Sequence, residues 1–208
     1  MSPLVPSALD VSPFLKAIDG GTPIHDVLDA LVRAVEALGR DGTGQGPTND
    51  TMLGSILLLD GRRLRHGAAP SLPGPYNNAI DGIEIGPGMG SCGTAAYCGH
   101  AIFVVNTATD PLWRSFNALA QQHRLRACWS SPILGSGGQV LGTFALYHRR
   151  ERSPTSDERL AIGRAAEAAR AILEHAAARV EARSQALSHP PSVDSEPDGE
   201  TAAPLPAA

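Results

Sequence analysis

Gly90-Ser91-Cys92-Gly93-Thr94-Ala95-Ala96-Tyr97 is the run on which the reading of this chain turns. Gly86-Pro87-Gly88-Met89 leads into it, and the small residues that follow suit a short helix over Ser91–Tyr97. A glycine-rich loop opening a helix is a recurring anion-binding device, because unpaired N–H groups and the positive dipole end point outward at the first turn. The spacing predicts Ser91 as the N-cap, with Cys92, Gly93 and Thr94 in the first turn facing a ligand carboxylate, phosphate or carbonyl. A thiol at that place is expected to ionise more easily than a free cysteine. The competing reading of the same residues is a tight turn, a capping serine and a small buried cysteine.

Outward from this run the chain alternates between helical and strand patterns. Upstream, Ile24, Val27, Leu28, Leu31, Val35 and Leu38 recur at spacings of three and four, with Thr22-Pro23 as a start signal and Gly39 as a stop. Arg40 to Asp50 reads as a loop. Thr51–Leu59 and Arg62–Ala68 read as strands joined at Asp60-Gly61. Residues 69–90, with four prolines and several glycines, read as a long connection without a regular element. Downstream, Ala101–Val105 reads as a strand and Asp110-Pro111 starts a turn into a helix. Leu125–Leu134 and Gln139–His148 form a hairpin about Gly135-Ser136-Gly137-Gly138. Thr155-Ser156-Asp157-Glu158 is a capping-box pattern opening a long Ala-rich helix. Its expected apolar stripe runs through Leu160, Ala166, Ala169, Ile172, Leu173, Ala176 and Val180, and the small residues Ala165, Ala169 and Ala176 would permit close helix approach.

The fold class is therefore α+β: an antiparallel sheet of about five to six strands with helices on both faces. The domain is expected over residues 20–182, with a partly disordered N-terminal extension over 1–19 and a disordered Pro/Ala-rich tail over 183–208. A mildly acidic chain, net charge −4 with 18% charged residues, is a poor nucleic-acid binder. No apolar run approaches a membrane span, and the first twenty residues do not resemble a secretory signal. Three cysteines do not describe a disulfide framework, so a reducing cytoplasm is expected. Histidines 66, 100, 123 and 148 fall singly, and no metal-ligand spacing is present.

Order alone leaves PAS, GAF and some profilin-like folds open. The segments Tyr76–Gly82, Ile85–Tyr97, Thr107–Trp113, Leu125–Ile133 and Val140–Tyr147 together resemble the GAF domains of bacterial sensor kinases and cyclic-di-nucleotide enzymes. The resemblance implies a GAF/PAS-like sheet and a non-catalytic sensor or interaction module that binds a small ligand or relays a redox signal at Cys92 to a partner, without an output enzyme of its own. It also implies a homodimer built through terminal helices, and a signalling protein as partner. An unidentified small molecule is expected between the sheet and the 70–97 segment, and no cofactor is identified.

Its candidate ligand set is Tyr76, Asn77, Ser91, Cys92, Gly93, Thr94, Trp113, Cys128 and Ser131. Tyr76 and Asn77 would close one side and Trp113 would act as a lid. Trp129, alternating with Ala127, Ser131 and Ile133, reads instead as core. Free methionine-R-sulfoxide reductases are GAF proteins that share the Cys-Gly-Thr-Ala motif, so Cys92 raises an enzymatic alternative. Cys98 and Cys128 do not stand at that family's other cysteine positions. A third alternative is a dimerisation module whose pocket is filled by side chains.

Overall fold

Asp60-Gly61 reverses the chain between β1 (Leu53–Asp60) and β2 (Arg63–Ala68), and the two strands pair antiparallel as the turn chemistry predicts. The computed structural model describes residues 9–39 and 52–188. The expected loop over 40–50, the first eight residues and positions 189–208 lie outside the described residues. Beyond this hairpin come β3 (Ile83–Glu84), β4 (Ile102–Val104), β5 (Ala127–Leu134) and β6 (Val140–His148). The six strands form one sheet in the order β3-β2-β1-β6-β5-β4, antiparallel throughout.

Both faces of the sheet are covered. That is why β1, β5 and β6 read as near-continuous apolar runs instead of alternating with polar residues. On one face lie α1 (Ser12–Asp19), α2 (Ile24–Leu38) and α6 (Ser156–Ser188), packed over Ile56, Trp129, Ile133, Phe144 and Leu146. On the other lie α3 (Gly74–Ile80), α4 (Gly90–Cys98), a 3-10 turn at Pro111–Trp113 and α5 (Asn117–Gln122). They enclose Leu57, Leu64, Tyr76, Cys92, Cys128 and Tyr147. Each fully buried Leu, Ile or Phe contributes about 1.5–3 kcal/mol of transfer free energy.

Several local expectations are corrected. The 69–90 stretch is not without regular structure, because Pro75 sits in the first turn of α3 and β3 follows it. Proline's fixed φ suits that position, so the breaker starts the helix instead of ending it. Thr22 does not cap α2: Pro23 takes the N-cap place and no side chain caps that end. α1, inside the stretch expected as an extension, buries Ile18 and lays Phe14 and Leu15 on the core. The boundary expected at 182 falls within α6, which continues to Ser188.

The capping box at α6 is present in both directions. Glu158 N donates to Thr155 Oγ1 at 3.2 Å and Thr155 N donates to a Glu158 carboxylate oxygen at 2.8 Å. The expected apolar stripe of α6 holds at Ala166, Ala169 and Ile172, which are buried, and at Leu173 and Ala176, which pack against the core, but not at its two ends. Ile162, Ala165, Ala169 and Ile172 are buried against the domain, whereas Leu160 and Val180 are exposed. The small residues Ala165 and Ala169 thus serve close packing within the chain. Asp19, at the end of α1, accepts from Arg179 and lies 2.8 Å from His175 Nε2, tying α1 to the point where α6 leaves the domain.

Candidate functional site

The loop before α4 turns through left-handed backbone at Gly88 and Gly90, with φ of +75° and +64°. Only glycine adopts these angles without strain. The turn presses the first two turns of α4 flat onto the sheet, and every residue from Gly90 to Ala96 is buried. Gly93 permits that approach: a Cβ there would lie 2.6 Å from Met89 Cβ and 3.0 Å from the Glu84 carbonyl. Gly86 N donates to the Gly93 carbonyl and Thr94 Oγ1 donates to the Gly86 carbonyl, so Gly93 and Thr94 fasten the loop to the helix.

Ser91 is not the N-cap; Met89 takes that place with no side-chain cap. The Ser91 hydroxyl lies inside the helix and points at the sheet. It donates to the Cys128 carbonyl at 3.0 Å and accepts from Trp113 Nε1 at 3.0 Å. Trp113, expected as a lid, is thereby anchored to α4. It is 3% exposed and forms part of the wall.

An aromatic group surrounds Cys92. Tyr147 stands edge-on to Tyr76 at 5.7 Å and to Trp113 at 6.5 Å, and Phe116 stands edge-on to Trp113 at 6.4 Å. These side chains line a cavity of about 20 Å³ together with Leu57, Met89 and Cys92. Such a space holds a water-sized molecule, whereas sites for drug-sized organic ligands run to about 300–1,000 Å³.

Polar groups converge on the Cys92 sulfur inside this apolar shell. The Tyr147 hydroxyl is 3.8 Å from it. The Cys128 thiol acts as the strongest donor toward it and, with the Ser130, Thr143 and Tyr147 hydroxyls, outweighs burial, lowering the Cys92 pKa to about 7. Cys128 goes the other way: burial and the neighbouring Cys92 push its thiol well up. Burial and the nearby sulfurs also hold Tyr76 and Tyr147 in their protonated, donating forms.

Of the expected site residues, Tyr76, Ser91, Cys92, Trp113 and Cys128 come together here. Asn77 does not join them; its amide donates to the Ala69 carbonyl at 3.3 Å and fastens α3 to the preceding segment. Ser131 is on the wrong face. It alternates with Trp129 and Ile133, which pack in the helix layer of α2 and α6, while Cys128 and Ser130 face α4. Cys98 is exposed, with its sulfur near the Ala95 and His100 carbonyls, away from the other two thiols. Sequence reasoning missed Ser130, Thr143 and Tyr147. The two-residue period of β5 and β6 was the signal that would have put Ser130 beside Cys128 and Thr143 in line with Tyr147. Among the described residues, no three His, Cys, Asp or Glu side chains are grouped so as to hold a metal ion.

A six-stranded antiparallel sheet thus carries α4 pressed over a small pocket on one face and the terminal helices on the other. The chain belongs to the GAF domain family, whose sequence pattern matches residues 21–174. It is 37% identical over 146 residues to the methyl sulfide methyltransferase-associated sensor of Methanosarcina acetivorans, covering 69% of this chain. The match spans only 14% of that sensor's length.

Solved structures share the fold. A domain of a protein described as a two-component sensor histidine kinase from Sinorhizobium meliloti 1021 superposes with a TM-score of 0.59 at 23% identity, covering 77% of this chain and 97% of that one. Free methionine-R-sulfoxide reductase from Neisseria meningitidis, in complex with its substrate, gives 0.58 at 16%, covering 86% and 99%. Among the described residues, no helix is long and apolar enough to cross a membrane.

Proposed function

We propose that this GAF domain is a non-catalytic cytoplasmic sensor that receives a small signal in the aromatic cavity beside Cys92 and passes it through β6 to α6. The observation that carries this reading is the Cys92 sulfur at the wall of a small aromatic-lined cavity, 3.8 Å from the Tyr147 hydroxyl and in one cluster with Cys128. Tyr147 on the pocket side and His148 on the helix side are consecutive on β6, which supports a direct route between the layers.

The output end is the exposed part of α6. Val180 and Leu187, 69% and 77% exposed, stand seven residues apart on one helix face. That heptad spacing suits a second copy of the chain, and hence a homodimer that a signalling partner would read.

Native mass spectrometry of the freshly purified full chain, with a metabolite thermal-shift screen on the parent and on Trp113→Phe, tests the reading. Retained mass, or stabilisation that Trp113→Phe weakens, is expected. Absence of both would leave a dimerisation module with a side-chain-filled pocket. The sharing of this fold with reductases, together with the acidified Cys92, supports a second reading as a thiol-dependent reductase. The small cavity disfavours an amino-acid-sized substrate unless α3 and α4 move apart. Turnover of methionine sulfoxide by the parent protein would establish that second reading.

A further inference from the structure

We propose that Cys92 and Cys128 are a dithiol that closes to an intramolecular disulfide when a hydroperoxide enters the cavity beside Cys92. The inference rests on the reading of that cavity as the signal-receiving site, and it names the class of signal. Two successive residues of α4 meet the Cys128 neighbourhood. Ser91 donates to the Cys128 carbonyl, and the Cys92 sulfur lies 3.8 Å from the hydroxyl of Tyr147, which is the cross-strand partner of Cys128. Both thiols lie in one buried cluster, and Cys92 lines the cavity.

A second observation points to a polar occupant. The Ser55 hydroxyl is fully buried and has no hydrogen-bond partner, and the equally buried Ser130 and Thr143 hydroxyls have no oxygen or nitrogen partner, facing only the Cys92 sulfur. All three lie on the α4 side of the sheet, since Ser55 and Ser130 are both partners of Ala145, and Thr143 is two residues from it. Buried hydroxyls without partners are costly, and an anionic sulfur or an incoming peroxide oxygen would supply acceptors. The cavity admits a molecule of the size of water or hydrogen peroxide. The two thiols are also differentiated: Cys92 gives up its proton more easily than a free thiol and Cys128 less easily, the division expected of an attacking and a resolving cysteine.

The chemistry balances. The Cys92 thiolate attacks one peroxide oxygen and the O–O bond breaks. The sulfur becomes a sulfenic acid, and the other oxygen leaves as water or alcohol with the proton given up by Cys92. Cys128 sulfur then attacks the sulfenic sulfur. The S–S bond forms, the S–O bond breaks, and the hydroxide leaves as water with the Cys128 proton. Two thiols lose two electrons and one hydroperoxide gains them.

The test uses the reduced full chain and its Cys98→Ser variant, titrated with hydrogen peroxide and read by intact mass and peptide mapping. Both are expected to lose about 2 Da, reversibly with a thiol reductant, as a Cys92–Cys128 linkage. Cys128→Ser should instead accumulate a dimedone-reactive sulfenic acid at Cys92, and Cys92→Ser should give neither product. Oxidation confined to Cys98, or a linkage that includes Cys98, overturns the proposal without reliance on any variant of the buried pair. Hydrogen exchange across α6 on the same samples separates the two ideas. A Cys92–Cys128 bond with unchanged α6 exchange upholds the dithiol and sinks the relay. A metabolite that binds the cavity and changes α6, in a protein that forms no such bond, sinks the dithiol and keeps the relay.

Discussion

Ser91 spends one hydroxyl on two jobs: its oxygen accepts from Trp113 Nε1 and its proton goes to the Cys128 carbonyl. Ser91→Ala leaves a buried indole N–H and a buried carbonyl short of a partner, and each such loss costs about 1–3 kcal/mol. Urea denaturation should show a destabilisation of that order, and Trp113 fluorescence should report a loosened wall. A destabilisation within about 0.3 kcal/mol of zero would mean that water replaces both bonds. The run from Gly90 to Thr94 announced in the sequence that a helix begins beside a thiol. It did not announce which way the thiol faces. Local patterns carry the signal for a cap, whereas the donors that tune Cys92 come from β5 and β6, more than thirty positions away. Ser131 was misplaced for a simpler reason, because a serine pair at 130 and 131 offers one residue to each face and only the register decides between them.

Periodicity made the larger elements legible. The two hairpins, α2 and the start of α6 all follow from apolar spacing and turn residues. Two helices escape that reading: α1, in a stretch read as an extension, and α3, which is short and is opened by a proline that reads as a breaker. The stripe on α6 was drawn through Leu160 and Val180 because large apolar residues attract the eye, but in an alanine-rich helix the small residues make the closest contact. The same helix offers the test at this scale. Thr155→Ala removes the hydroxyl that accepts from Glu158 N, and loss of an N-cap costs about 0.5–2 kcal/mol. Chemical denaturation should show this loss, with faster hydrogen exchange confined to the first turn of α6. A cost below about 0.2 kcal/mol would show that the Arg152–Glu158 ion pair, 2.6 Å apart, holds the turn unaided.

For the molecule as a whole, His148 connects stability to pH. It is 1% exposed, with its ring 4.1 Å from that of Trp129. Burial, aided by the Arg152 guanidinium, lowers its pKa from 6.5 to about 3. Between those values the unfolded chain binds a proton that the folded chain refuses, so stability falls as pH falls through that window. The urea midpoint should drop between pH 7.5 and pH 4.5, and His148→Phe should drop less, the carboxylate contribution being common to both chains. Equal drops in the two proteins would remove His148 as the source. The Asp19 clasp on His175 and Arg179 bears on motion at the same scale. From the middle of that clasp, about 30 Å of α6 lies on the domain side and about 17 Å beyond, at 1.5 Å per residue. A rod held at such a point is a seesaw with unequal arms. Any tilt that the sheet imposes on the longer arm reappears at Ser188 reversed in direction and reduced by nearly half.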